Sequence, residues 1–453
     1  MNNRNTFTNK LGFVLSSAGA AVGLGNIWRF PYLAAKYGGG IFLLVYIVLA
    51  LTFGYTMIIS ETAIGRNTGS SPVGAFKKYS NSSLMNFGGW INAIIPILIV
   101  PYYSVIGGWV LKYLIGFVVS DVGSVSADGF FSAFITNGTQ VELWFVIFVL
   151  AILAVILMGV SGGIERVSRI MMPVLVGLAV IVSIYVMTQP GALEGVKYFL
   201  VPDLKNFSWM TFVSAMGQMF YSLSIAMGIL ITFGSYMKKD ISIDSSTKQV
   251  EIFDTAIAML AGLMIIPAVF AFSNGDPSKL NAGPSLMFVT MPKVFASMKM
   301  GKAIGVLFFV LVLFAALTSA IALTESAVST FSDHFGWGRV KATLVMGVIT
   351  IFLGTLSALG YGPLSGVTII GMQFLDFFDF LTNSLMMPIA ALFICVYIIR
   401  HMGIDRLDEE VCLGGAKFGR RRLYIFMILH VCPVFIIVIL LSSIASAFGW
   451  ISF

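Results

Sequence analysis

Long apolar runs dominate this chain and dictate its fold class. An α-helix of about 20 predominantly apolar residues crosses a bilayer. The sequence holds about eleven such runs, at roughly 11–36, 40–65, 88–117, 141–160, 167–188, 208–236, 251–273, 303–331, 340–358, 372–399 and 423–448. Hydrocarbon offers no partner to an exposed N–H or C=O, so each run must satisfy its own backbone and reads as a helix. The expectation is an all-α, polytopic membrane protein, one transmembrane domain over 1–453. Charge agrees, because only 10% of residues are Asp, Glu, Lys or Arg, against about 25% in soluble proteins. That excludes a soluble globular domain, and the high hydrophobicity excludes disorder. Lys10, an apolar run and Ala18-Gly19-Ala20 imitate a signal peptide, but the apolar stretch continues with no soluble domain behind it.

With the N-terminus inside, 18 of the 27 Lys and Arg residues fall in cytoplasmic segments. The positive-inside bias therefore predicts a cytoplasmic N-terminus in the inner (plasma) membrane. An odd number of helices then puts the C-terminus outside. The net charge of +7 reads as loop charge and not as a nucleic-acid surface. Cys395, Cys412, Cys432 and the three histidines have neither disulfide nor metal-ligand spacing. Intramembrane hydrolysis would need paired aspartates, a Ser–His couple or a metal cluster, so an enzyme is not expected.

Two runs read badly as continuous helices. They are Gly19-Ala20-Ala21-Val22-Gly23-Leu24-Gly25-Asn26 and Tyr221-Ser222-Leu223-Ser224-Ile225-Ala226-Met227-Gly228. Glycines of this kind also serve as close-packing faces in membranes. Their position points elsewhere: they fall in the first and sixth runs, which begin two successive sets of five. That pattern predicts a five-plus-five inverted repeat with broken helices 1 and 6 (first repeat about 11–188, second about 208–399, an extra helix about 423–448). Broken helices at the midplane free carbonyls for a cation and amides for an anion.

"SSAGAAVGLGNIWRFPYLAAKYGGGIFLLVYI" resembles the first-helix signature of the neurotransmitter:sodium symporter family, "GQMFYSLSIAMG" its sixth helix and "LFAALTSAIAL" its eighth. The resemblance runs from Arg4 through the tenth helix and is closest to the bacterial, eleven-helix amino-acid branch. It implies two sodium ions as co-substrates. The first sodium would take the Ala21 carbonyl, the Asn26 side chain, Ser222 and Asp254. An alignment shifted by one would bring Phe253 to the last position, but phenylalanine has no oxygen for a hard cation. The competing reading of Asp254 is a cytoplasmic cap near the start of its helix. The second sodium would take carbonyls of Gly19, Val22 and Ala315 and hydroxyls of Thr318 and Ser319, which otherwise back-bond within their helix. A carboxylate at Asp254 would replace the chloride that animal relatives use, so chloride-independent transport is expected.

The resemblance also implies a free amino acid as substrate. Amides of Leu24 and Gly25 with the Tyr103 hydroxyl would hold its carboxylate. Carbonyls of Ala21, Tyr221 and Ser222 would hold its ammonium. Ala20, Ile99, Ser224, Met227, Ser319 and Leu323 would surround its side chain, with Tyr221 as lid. No charge stands among these, so charged side chains are disfavoured and a neutral, hydrophobic or aromatic amino acid is expected. Arg29 with Asp379 matches the family's outer gate, with Asp376 one turn away as rival partner and Gln218 bracing Arg29 and Tyr103. Arg4 and Asp333 with Tyr236 match the inner gate, where Phe7 stands in place of the family's usual Trp. Glu61 matches a buried acid that bonds unwound backbone. The expected activity is sodium-coupled symport by alternating access, in a monomer or loose dimer within the lipid bilayer and with no nucleic-acid partner. An amino-acid-binding membrane sensor is the alternative.

Overall fold

The computed structural model describes residues 6–273 and 283–447. Arg4 lies outside them. Among the described residues nine helices are long and apolar enough to span a membrane: α2 (Gly40–Thr68), α3 (Ser83–Val119), α4 (Gly138–Leu157), α5 (Val160–Met187), α7 (Ile243–Ser273), α8 (Gly301–Phe335), α9 (Arg339–Leu359), α10 (Phe374–Met402) and α11 (Arg421–Ser446). A tenth span is the pair α1a (Lys10–Ala21) and α1b (Gly25–Lys36), bent by 56° at its break. The remaining apolar run, 208–236, is divided between α6a (Trp209–Ser222) and α6b (Ile229–Ser235). Neither half reaches a bilayer's length alone. The chain is an all-helical membrane protein with its first and sixth runs broken.

Local chemistry explains both breaks. In the first, Val22 turns extended (φ −73°, ψ 98°) between helices, in a stretch with three glycines within seven residues of sequence. In the second, Ser224, Ala226 and Gly228 have φ of 53°, 60° and 70°. A left-handed conformation costs an L-residue roughly 1–2 kcal/mol, so two non-glycines here need outside support. Glu61 of α2 supplies it: its Oε1 accepts from the Ala226 N–H at 2.7 Å.

The broken helices sit inside the bundle. Ten of the twelve α1a residues are buried, as is every residue of α6b. The α2–α6b contact is especially close. A Cβ at Gly65 would lie 1.9 Å from the Ile231 carbonyl oxygen, and one at Gly234 would lie 2.4 Å from that of Thr62. Small residues let two membrane helices meet backbone to backbone. Lipid-facing apolar side chains are exposed on α4, α5, α9 and α11, among them Leu150, Ile181, Val348 and Leu441.

Candidate functional site

A central cavity of about 30 Å³ lies where the two breaks meet α3 and α8, room for no more than a water or two. Its wall is Ala20, Ala21, Gly23, Leu24, Gly25, Asn26, Ile99, Tyr103, Tyr221, Ser222, Ser224, Met227, Ser319 and Leu323. All twelve residues expected around a substrate are in it. Polar groups gather at the α1 break. Leu24 N–H donates to the Tyr103 hydroxyl at 3.2 Å, and Ser224 Oγ donates to the Ala20 carbonyl at 3.0 Å. A Cβ at Gly25 would strike the Tyr221 ring at 2.4 Å, so only glycine allows that ring its place over the cavity. The apolar end of the wall is Ile99, Met227 and Leu323, and among the described residues no ionisable acid or base borders it.

Two oxygen clusters flank this cavity. In one, Asn26 Nδ2 donates to Asp254 Oδ1 (2.7 Å) and Ser222 Oγ (2.8 Å), and Ser222 Oγ donates to Asp254 at 3.0 Å. Asp254, and not Phe253, meets these groups. It is fully buried well inside α7, which removes the helix-cap reading. Tyr46 completes the cluster, donating to Asp254 Oδ2 at 2.8 Å. Sequence reasoning missed it, though it is the one hydroxyl within the run Ile41–Leu51.

In the second cluster, Ser319 Oγ stands 3.2, 3.1 and 3.1 Å from the carbonyl oxygens of Gly19, Ala20 and Val22. One hydroxyl has one proton, so the four oxygens form an electron-rich nest suited to a hard cation. Thr318 instead back-bonds to the carbonyls of Phe314 and Ala315 at 2.9 and 3.2 Å. Its side chain still packs on α1, where a Cβ at Gly19 would lie 3.1 Å from Thr318 Cβ.

A family model described as the sodium:neurotransmitter symporter family matches residues 4–124 and 130–449. The chain belongs to this family. It is thus a transporter and not an enzyme. It is 33% identical to the uncharacterized sodium-dependent transporter YhdH of Bacillus subtilis, covering 97% of each chain. It is 32% identical to an uncharacterized sodium-dependent transporter of Haemophilus influenzae over 97% of this chain and 98% of the other. Among solved structures it is similar to MhsT in complex with L-phenylalanine, with a TM-score of 0.87, 36% identity, and coverage of 97% of this chain and 100% of that one.

The residues expected at the outer gate are arranged differently from the expectation. Among the described residues no acid lies within 4 Å of the Arg29 guanidinium. Arg29 stands over the Tyr221 ring at 5.3 Å. Asp379 is instead bonded by Asn383 Nδ2 (2.5 Å) and the Tyr102 hydroxyl (3.2 Å), and Asp376 by the Tyr361 hydroxyl at 3.1 Å. Arg29, Asp376 and Asp379 all border a vestibule of about 340 Å³, and Tyr103 and Tyr221 border both it and the central cavity. The two tyrosines therefore separate the compartments while the charges stand apart. Gln218 does not brace Arg29 and Tyr103. Its Nε2 donates to the Gly25 carbonyl at 3.1 Å, so it supports the α1 break itself. The spacing of four between Asp379 and Asn383 was the available signal for that pair.

On the other side, Asp333 accepts from the Ser71 N–H at 2.7 Å. The Tyr236 hydroxyl donates to Glu325 Oε1 at 2.8 Å, and Arg339 Nη2 pairs with Glu325 Oε2 at 2.6 Å. Phe7 is fully buried, edge-on to Phe13, Phe233 and Tyr236. The start of α1a is stapled to α5: Glu165 accepts from the Thr8 N–H at 2.8 Å and pairs with Arg169 at 2.5 Å. Neither the Glu325 nor the Glu165 network was read from the sequence, although the spacing of four between Glu165 and Arg169 was a signal for that pair.

Proposed function

We propose that this symporter carries a neutral amino acid with a hydrophobic or aromatic side chain together with two sodium ions. The carrying observation is the central cavity, bounded at one end by the broken-helix backbone and at the other by Ile99, Met227 and Leu323. Amides of Leu24 and Gly25 with Tyr103 suit a carboxylate. Carbonyls of Ala21, Tyr221 and Ser222 suit an ammonium. The phenylalanine bound to MhsT supports the same size class. Phenylalanine far exceeds a 30 Å³ space, so loading requires the wall to yield, and Met227 has the flexibility for it.

The first sodium sits among Ala21, Asn26, Ser222 and Asp254, the second among Gly19, Val22, Ala315, Thr318 and Ser319. Asn26 must turn its Oδ1, which now accepts from the Gly23 N–H at 3.1 Å, toward the ion. Asp254 supplies a fixed negative charge, so no chloride is required. Sodium and substrate enter from the vestibule and draw Arg29 to Asp379, and the set α1, α2, α6 and α7 then rocks to open the Asp333 side, with Arg4 as its partner. The N-terminus is cytoplasmic. Two sodium ions with a zwitterion move two charges, roughly 4.6 kcal/mol per 100 mV at ~2.3 kcal/mol each, enough for about three decades of accumulation.

The test is uptake of labelled phenylalanine by proteoliposomes. Accumulation above the outside concentration is expected only with an inward sodium gradient. Binding without accumulation would overturn symport in favour of a sensor.

A further inference from the structure

On the Arg29 side, the segment 193–209 joins α5 to α6a and turns six large apolar side chains outward: Leu193, Leu200, Val201, Leu204, Phe207 and Trp209. Leu204 and Trp209 are 78% and 79% exposed. A contiguous apolar surface of this kind marks an interaction site and not a wetted loop. Its height is set by the helix it leads into. Trp209 is the first of the 14 residues of α6a, whose other end is the break at the midplane. At 1.5 Å per residue that helix is ~21 Å long, and at an ordinary tilt of ~20° it climbs ~20 Å. Half the hydrocarbon core is ~15 Å, and the headgroups extend to ~20–22 Å from the midplane. The segment therefore lies at headgroup level, where tryptophan is enriched. Lys197 and Lys205 interleave with the apolar residues, and a lysine there lays its stem on apolar surface and its charge among phosphates. The surface is also continuous with the lipid-facing wall. The helix Ala192–Leu200 packs on the end of α7, Gly195 against Pro267 and Tyr198 against the Phe270 ring, and Phe272 beyond them is itself exposed.

The other face of the same segment grips the end of α1b. The Tyr198 hydroxyl donates to the Ala35 carbonyl at 2.6 Å, and Thr211 Oγ1, one turn into α6a, donates to that of Tyr37 at 3.1 Å. A Cβ at Gly38, Gly39 or Gly40 would lie 2.8, 2.2 or 2.4 Å from the carbonyl oxygens of Asn206, Tyr198 and Val201, so the two backbones meet with no side chain between them. We propose that 193–209 is a membrane anchor seated among the phospholipid headgroups on the Arg29 side, and that it holds the end of α1b at a fixed depth. α1b carries Arg29 and begins at the wall of the central cavity. Its swing is then guided by the bilayer through this clasp. The proposal takes from the symport reading only that α1 moves.

The test uses the full chain, spin-labelled at Leu204→Cys with Cys412 changed to alanine, in liposomes of phosphatidylcholine and phosphatidylglycerol. Relaxation of the label is measured with oxygen, which concentrates in lipid, and with a nickel chelate, which stays in water. The ratio of oxygen to nickel collisions is expected severalfold above that at Glu409→Cys, an exposed acid between α10 and α11, and below that at Val348→Cys on the lipid face of α9. A ratio equal to the Glu409→Cys value would leave the segment in water and overturn the anchor. Label–label broadening that vanishes on dilution with unlabelled chain would mean that a second copy covers the surface, and would equally overturn it. The Leu204→Ser/Trp209→Ser variant changes only exposed side chains. It should keep the native unfolding midpoint and sodium-dependent phenylalanine binding in micelles, yet take up phenylalanine severalfold more slowly in proteoliposomes. Uptake at the native rate would overturn the hold on α1b. The collision measurement needs no transport, so its failure is distinct from failure of the symport reading.

Discussion

Asp254 concentrates the electrostatics of the site in one residue. It is fully buried, with Asn26, Ser222 and Tyr46 as its only donors among the described residues. Replacing sodium chloride by sodium gluconate should therefore leave native uptake essentially unchanged. Asp254→Asn keeps the shape and removes the charge. Its uptake in gluconate should fall about tenfold or more, a factor equivalent to ~1.4 kcal/mol, with partial recovery in chloride. Unchanged uptake by the variant in gluconate would remove Asp254 from the charge balance. The second cluster gives a sharper contrast. Ser319 reaches across to three α1 carbonyls, whereas Thr318 bonds within its own helix. Ser319→Ala should raise the half-saturating sodium concentration severalfold, and Thr318→Ala should raise it less. A sodium titration of uptake measures both, and an unchanged titration in the double variant would count against the site.

At the scale of the element, the two breaks depend on neighbours as much as on their own sequences. Glycines marked both segments, and the structure breaks the helices there. The family resemblance implies that Glu61 bonds unwound backbone, but the Ala226 amide as its partner comes from the structure, since a lone acid in an apolar helix names no partner. Glu61→Leu strands that amide, and a buried unsatisfied donor costs about 1–3 kcal/mol. The unfolding midpoint should drop and uptake should be lost, while Glu61→Gln, which keeps a carbonyl acceptor, should retain most of the stability. The α2–α6b contact had no such signal. Gly65→Ala puts a methyl 1.9 Å from the Ile231 carbonyl carbon's oxygen, a backbone group that cannot swing aside. It should lower the yield of folded protein sharply, whereas Gly162→Ala, with nothing within 4 Å of its Cβ, should be neutral in the same thermal assay.

At the scale of the molecule, the arrangement is asymmetric. A vestibule of about 340 Å³ adjoins the central cavity on the Arg29 side, with Arg29 and Asp379 apart. On the other side Phe7 is buried, and Glu165, Glu325 and Asp333 are all engaged. This combination fits a conformer whose Arg29 side has yet to close. A thiol placed in the vestibule reports that closure. Ser384→Cys, in a background with the half-buried Cys412 changed to alanine, should react with a membrane-impermeant reagent added outside in sodium alone. Substrate with sodium should slow the reaction severalfold. Equal rates in both conditions would mean that Arg29 and Asp379 do not gate the vestibule.

By itself the sequence determined the helical spans, the two interruptions and the family, because hydrophobicity along a run and glycine within it act through local backbone physics. The family resemblance, carried by several helices, then named residues for every wall of the central cavity. The tertiary structure decided which polar groups meet. It gave Asp254 to Tyr46, Asp379 to Tyr102, Gln218 to the Gly25 carbonyl, and Arg29 to the Tyr221 ring. Those pairings join residues up to hundreds of positions apart. They depend on helix rotation and separation to within an ångström or so, the range over which a hydrogen bond is made or lost. Periodicity and composition along a single helix carry no such information.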